Sequence, residues 1–158
     1  MSVRFVFPKP RLAALLRKPG GKPAVEALAD AGANLKELRG ACLEDLEGVL
    51  VKIDALFANF PRTFDEKATN ELYGLCQGSL GVAGAVGMDA IDTALGSLCT
   101  LLDNLRIRRI ANVEAVGVHV RALRVLVKSA DIATPSDMEA VLSGLRMVSE
   151  RYDPDAAR

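Results

Sequence analysis

Aromatic residues are scarce in this sequence. Tryptophan is absent, and all aromatic residues together make up 4% of the 158 positions, although hydrophobic residues reach 50%. A β-sandwich would need more aromatic and β-branched residues, whereas aliphatic side chains suit packed helices. The composition therefore predicts an all-α fold, and the length suits a single domain with one core.

An excess of charge of either sign is also missing. Lys plus Arg and Asp plus Glu number 20 each, so no overall field attracts nucleic acid or an anionic membrane. The longest uncharged run, residues 72–88, contains five glycines and predicts no membrane span. The N-terminal apolar patch is broken by Pro8 and Pro10, which argues against an export signal. We therefore expect a cytoplasmic protein without nucleic-acid or membrane partners.

Groups that carry catalysis or bind metals are few. The three cysteines, Cys42, Cys76 and Cys99, are widely spaced within apolar helical patterns, which predicts small buried thiols rather than disulfides or metal ligands. The single histidine, His119, lies among valines of a predicted helix and is interpreted as structural or partner-facing. We therefore expect no enzyme, no metal and no cofactor.

Apolar residues recur every three or four positions through most of the chain, which is typical of amphipathic helices. A long helix is predicted over residues 35–60 and ends before Pro61. Thr63 and Glu66 have capping-box spacing and predict a second helix that runs to about Val86, with Gly87 as its terminator. A third helix follows and ends in a polar turn at 103–109. Its inward positions are predicted to be Ile91, Leu95, Leu98, Leu102 and Leu105.

Two further helices complete the predicted bundle over residues 35–152. Asn112 is expected to cap the fourth helix, which fades near Ala130, and Thr134 with Pro135 starts the fifth, which reaches about Tyr152. Their predicted inward positions are Val116, Val120, Leu123, Val127, Met138, Val141, Leu142, Leu145 and Val148.

The ends of the chain carry weaker patterns. Residues 1–34 are interpreted as an arm at 2–7, a brief turn at 11–18 and a short helix at 23–33. Residues 153–158 are expected to fray.

Glycines in the predicted second helix are unusual, because each costs about 1 kcal/mol relative to alanine in a helix interior. Helical spacing places Gln77, Leu80, Gly81 and Gly84 on one flat stripe. Either this stripe packs closely against another helix of the bundle, or it is open to a partner.

The segment around this stripe resembles a known family. The sequence ELYGLCQGSLGVAGAVG, residues 71–87, is similar to the second helix of histidine-containing phosphotransfer (HPt) domains of the alphaproteobacterial kind. MDAIDTALGSLCTLLD and VHVRALRVLV resemble later helices of the same subgroup, with Arg121 in place of an acid. The resemblance covers about residues 71–127. It implies an antiparallel four-helix bundle with additional N-terminal and C-terminal helices.

The resemblance also implies where phosphotransfer chemistry has been lost. In this family a histidine accepts a phosphoryl group from a receiver domain, and a basic residue three positions later steadies the charge. Those two positions fall on Gln77 and Leu80, and the family's glycine falls on Gly81. A glutamine amide is not a nucleophile, and leucine offers no charge to a phosphoryl group.

These observations lead to a hypothesis of binding without catalysis. We expect a degenerate HPt-like module of two-component signalling that binds a receiver domain or a histidine kinase through Gln77, Leu80, Gly81 and Gly84. Arg106, Arg108 and Arg109 form a dense basic patch that is either a solvated turn or an anion or partner site. Two alternatives stay open. One is a structural module that self-associates as a homodimer, and the other is an active phosphotransferase that uses His119.

Overall fold

The computed structural model describes residues 20–154, whose regular elements are all helices, with no strand among them. The all-α prediction is therefore confirmed for this part of the chain. The arm at 2–7, the turn at 11–18 and residues 155–158 lie outside it. The described helices are α1 (Ala24–Ala58), α2 (Glu66–Gln77), α3 (Asp89–Arg108), α4 (Val113–Lys128) and α5 (Pro135–Glu150), with a 3₁₀ turn at Gly84–Val86.

Contacts divide the chain into two compact units, Met1–Asn34 and Leu35–Arg158. The helix α1 is nevertheless continuous, so the prediction of separate helices over 23–33 and 35–60 was wrong. No proline occurs between Pro23 and Pro61, and the isolated Gly32 weakens a helix without ending it. The helix ends at Ala58, two residues before the predicted end.

The start of α2 differs from the predicted capping box. Asp65, not Thr63, is the N-cap, and its side chain accepts a hydrogen bond of 3.0 Å from the Ala68 amide. Asp65 has the extended backbone that an N-cap requires, and its carboxylate suits the positive end of the helix dipole. Thr63 therefore lies outside the helix.

The helix α3 lies at the centre of the second unit, because it contacts α2, α4 and α5. Its five predicted inward positions are confirmed, and each is at most 2% exposed. Burial of a leucine side chain contributes roughly 1.5–3 kcal/mol relative to leaving it in water. The predicted polar turn at 103–109 was wrong, since α3 continues through Arg108.

The caps predicted for α4 and α5 are confirmed. The Asn112 side chain accepts from the Ala115 amide at 2.8 Å, and Thr134 forms a capping box with Asp137. The inward positions of α4 are buried, but of those predicted for α5 only Leu145 is fully buried. The other four predicted positions, Met138, Val141, Leu142 and Val148, are half-buried, because this helix covers the outside of the core.

Within the second unit, side chains of α1 contact α4. The sequence patterns did not predict these contacts. Asp54 forms an ion pair with Arg124, and the Phe57 ring lies against Gly117. A Cβ at Gly117 would lie 2.8 Å from that ring, so the glycine allows the close approach. Nearer the start of this unit, Arg39 donates to the Ala130 carbonyl at 2.9 Å. These contacts hold the two helices antiparallel.

Candidate functional site

The C-terminal end of α2 is built differently from the continuous helix that the sequence predicted. The α-helix stops at Gln77, and the amides of Ser79 and Leu80 bond the carbonyls three residues back, at 3.1 and 3.2 Å. Gly81 then adopts a left-handed backbone with φ +85°. Glycine accepts this conformation without strain, and the repeated glycines offer little helical propensity to resist it. The helix therefore ends well before Val86.

This early end separates the four residues of the predicted stripe. Gln77 lies on the last turn of α2, Leu80 and Gly81 lie in the following turn, and Gly84 begins the 3₁₀ turn. The prediction that these four residues share one helical stripe was therefore wrong, because only Gln77 is within an α-helix. Gln77 and Gly81 are exposed, and the Leu80 side chain is 40% exposed.

Gly84 has a structural explanation of its own. Its amide donates to Asp92 Oδ2 on α3 at 2.7 Å, and a Cβ at this position would lie 2.6 Å from the same oxygen. A side chain would displace the carboxylate, so glycine is needed for this close approach. Gly84 is half-buried and faces α3, unlike the outward-facing Gln77.

An apolar residue that the sequence analysis missed extends the exposed surface. Val82 is 37% exposed, and its carbonyl accepts a weak hydrogen bond from Cys42 Sγ on α1 at 3.7 Å. We use the name Gln77 face for Gln77, Leu80, Gly81 and Val82. In the sequence, Val82 is an apolar residue directly after Gly81. Its exposure can be predicted only once the end of α2 is known.

A shallow cleft of about 360 Å³ borders the Gln77 face and separates the turn from α1. The α1 side of this cleft carries Glu44, Asp45 and Lys52. The turn contributes Gly78 and Ser79. The Gln77 face is thus neutral and apolar, with charges of both signs on its border.

His119 lies in the interior of the protein and not on its surface. Its ring is 0% exposed, and Nδ1 donates to the Ala115 carbonyl at 3.1 Å, which leaves Nε2 as an acceptor in the neutral ring. The hydroxyls of Ser97 on α3 and Ser149 on α5 lie 3.0 and 3.2 Å from Nε2 and 3.1 Å from each other. Burial lowers the pKa of His119 and so favours the neutral ring.

This serine and histidine cluster lacks the rest of a nucleophilic site. Ser97 lies inside α3, where backbone amides are bonded to carbonyls of the preceding turn and cannot face an oxyanion. The cluster instead supplies hydrogen-bond partners to three polar side chains at the point where three helices meet. Sequence reasoning missed Ser97 and Ser149, although serines at inward helical positions were the available signal.

Two of the three basic residues at the end of α3 lie over aromatic rings. The guanidinium of Arg106 lies 5.9 Å from the centroid of the Tyr73 ring, and that of Arg109 lies 5.4 Å from the Phe64 ring. Arg106 also forms an ion pair with Asp103. Arg108 lies between them, and all three arginines are exposed. The three predicted residues are therefore exposed at the same end of α3, and two of them lie over aromatic rings.

No protein-family model, curated protein or solved structure matches this chain. The HPt-like interpretation therefore depends on the residues themselves and their placement.

The three cysteines are free, as predicted for thiols, and Cys76 and Cys99 are buried while Cys42 is half-buried. A hydrogen bond with Cys99, together with burial, raises the pKa of the Cys76 thiol, so the buried thiol stays protonated. Within residues 20–154, no group of three or more metal-ligating side chains is found, and no helix there is long and apolar enough to cross a membrane.

Proposed function

We propose that this chain is a non-catalytic, HPt-like bundle of two-component signalling that binds a receiver domain or a histidine kinase without accepting phosphate. The observation that carries the proposal is the exposure of Gln77 at the position where the family resemblance puts the phosphorylated histidine. A side chain buried between helices would have left no docking surface there.

The chemistry of the Gln77 face favours binding over phosphotransfer. An amide nitrogen is too weak a nucleophile to take a phosphoryl group, and Leu80 places an apolar group where the family has a cation. His119 offers no replacement, since the residue is 0% exposed and its Nε2 accepts hydrogen bonds from serine hydroxyls. The geometry thus disfavours the alternative of an active phosphotransferase that uses His119.

The shape of the Gln77 face suits a protein partner. Leu80 and Val82 are exposed apolar side chains, and a Cβ at Gly81 would meet nothing within 4 Å. An apolar centre with a polar border is the usual anatomy of a protein interface. Tyr73 lies one helical turn before Gln77 on the same side of α2, so the face continues towards the basic end of α3.

The proposal is tested with receiver domains and histidine kinases from the same genome. We expect at least one to form a measurable complex in calorimetry, while radioactive phosphate from a phosphorylated receiver is not transferred to this chain. Leu80→Glu should abolish the complex because it puts a charge in the apolar centre. Met147→Glu on α5 is the matched control, since Met147 is 58% exposed and distant in sequence from the Gln77 face.

Acid-labile phosphate on this chain would contradict the proposal, and so would a complex that tolerates Leu80→Glu. Gly81→Leu is a poor probe of the same surface. Its left-handed backbone strains any side chain, so loss of binding would not be separable from loss of structure.

Self-association is the second candidate, because an open apolar face also suits a second copy of the chain. Light scattering after size exclusion separates the two. A dimer that Leu80→Glu converts to a monomer favours self-association, whereas a monomer that loses only its partner favours receiver or kinase binding.

A further inference from the structure

Two of the three residues of the arginine patch, which is defined as Arg106, Arg108 and Arg109, are held over aromatic rings. Stacking over Tyr73 and Phe64 orders the guanidinium groups of Arg106 and Arg109. A guanidinium stacked on a ring keeps its N–H edge available for a planar acceptor such as a carboxylate. Less side-chain entropy is then lost when such an acceptor binds.

Two arginines of the patch are not paired with a carboxylate in the part of the chain that the structure describes. Arg106 is paired with Asp103, but no carboxylate within residues 20–154 forms an ion pair with Arg108 or Arg109. The chain as a whole has no net charge, so this local excess is not part of a general basic character. Two exposed cations therefore have no carboxylate partner among the described residues.

Arg109 occupies a backbone conformation that is costly for its residue type. Its φ is 52°, and it is the one non-glycine residue with positive φ within 20–154. This left-handed position after a helix is usually glycine, and a side chain there costs roughly 1–2 kcal/mol. Strain of this kind is often retained at functional positions.

An apolar residue lies within the patch. Ile107, between Arg106 and Arg108, is 59% exposed. A surface that combines arginines with an exposed aliphatic side chain matches a segment that carries both carboxylates and an apolar residue.

We infer that the arginine patch with Ile107 binds an acidic segment of a protein partner. The carboxylates of that segment pair with Arg108 and Arg109, and an apolar side chain covers Ile107. This surface shares no residue with the Gln77 face, and the inference does not depend on receiver or kinase binding there.

The size of the patch favours a protein over nucleic acid or a membrane. DNA-binding proteins typically make about 6–10 phosphate contacts, and membrane-binding clusters typically contain about 4–8 basic residues. Three arginines, one of them already paired, fall below both numbers. Bidentate pairing of arginine with carboxylate needs only one or two well-placed guanidinium groups.

The test uses a fluorescein-labelled peptide of alternating Glu and Asp around a single Leu, with fluorescence anisotropy as the readout for the full chain. We expect saturable binding at about 50 mM salt that weakens as the salt concentration rises. The Arg108→Gln variant should raise the Kd roughly fivefold, the value expected for loss of one exposed ion pair. Arg146→Gln is the matched control, since Arg146 is similarly exposed and belongs to α5.

Arg109→Gly separates binding from structure. Glycine relieves the left-handed strain, so we expect an unchanged or higher Tm together with weaker peptide binding. A lower Tm with unchanged binding would instead show that Arg109 serves the fold, and would overturn its part in the inference.

The whole inference is overturned by any of three results. These are absence of saturable peptide binding at about millimolar concentration, binding that is indifferent to Arg108→Gln, and tighter Arg108-dependent binding to phosphatidylserine vesicles or to a DNA duplex than to the peptide.

Discussion

The buried His119 predicts a specific dependence of stability on pH. Burial lowers the pKa of the folded-state ring below its ordinary value of 6.5, so the unfolded chain binds the proton more readily. The free energy of unfolding is then at its full value above pH 6.5 and decreases as the pH falls towards the folded-state pKa. The slope in that window reaches at most about 1.4 kcal/mol per pH unit.

The change in the free energy of unfolding within this pH window can be assigned to one residue, because the chain has a single histidine. Urea unfolding followed by circular dichroism at 222 nm, at steps between about pH 7.5 and 5, measures the slope. The variant His119→Gln keeps a polar side chain that can bond Ser97 and Ser149, but it does not titrate. We expect it to lose the slope in this window while carboxylate titration below it remains.

Two results would refute the reasoning about His119. One is a free energy of unfolding that stays constant or rises as the pH falls through the window, which would mean that the folded protein holds the proton as well as the unfolded chain does. The other is an equal slope in the His119→Gln variant, which would assign the effect to another group.

Two further predictions use matched pairs of variants, measured by urea unfolding at neutral pH. Asp65→Ala should lower the free energy of unfolding by about 1 kcal/mol through loss of the N-cap, whereas Thr63→Ala should leave it nearly unchanged, and equal losses would contradict the assignment of the cap. Gly74→Ala should raise the free energy of unfolding by up to about 1 kcal/mol, because the position is helical, exposed and open. Gly84→Ala should lower it, because the new methyl group would collide with Asp92 Oδ2, and a stabilised Gly84→Ala would refute that contact.

Sequence periodicity predicted the interior of the bundle well. The inward positions of α3 and α4 were all correct, as were the caps Asn112 and Thr134. These features depend on local rules, namely helical spacing and the chemistry of a side chain beside free amides.

Local rules gave wrong predictions for the start of α2 and for the continuity of α1. Thr63 was predicted as the N-cap of α2, but the backbone and side chain of Asp65 have the cap geometry. Separate helices were predicted over 23–33 and 35–60, although no residue between them ends a helix by itself. Such choices depend on the balance of many small terms that a short window does not contain.

The residues determine by themselves what chemistry is absent at the candidate site. Gln77 and Leu80 cannot supply a nucleophile and a cation, whatever the fold around them. The tertiary structure decided what those residues face, because exposure is a property of distant packing. It left Gln77 in solvent and turned Gly84 against Asp92. It also enclosed His119 between two serines from other helices, which lie 22 and 30 residues away along the chain.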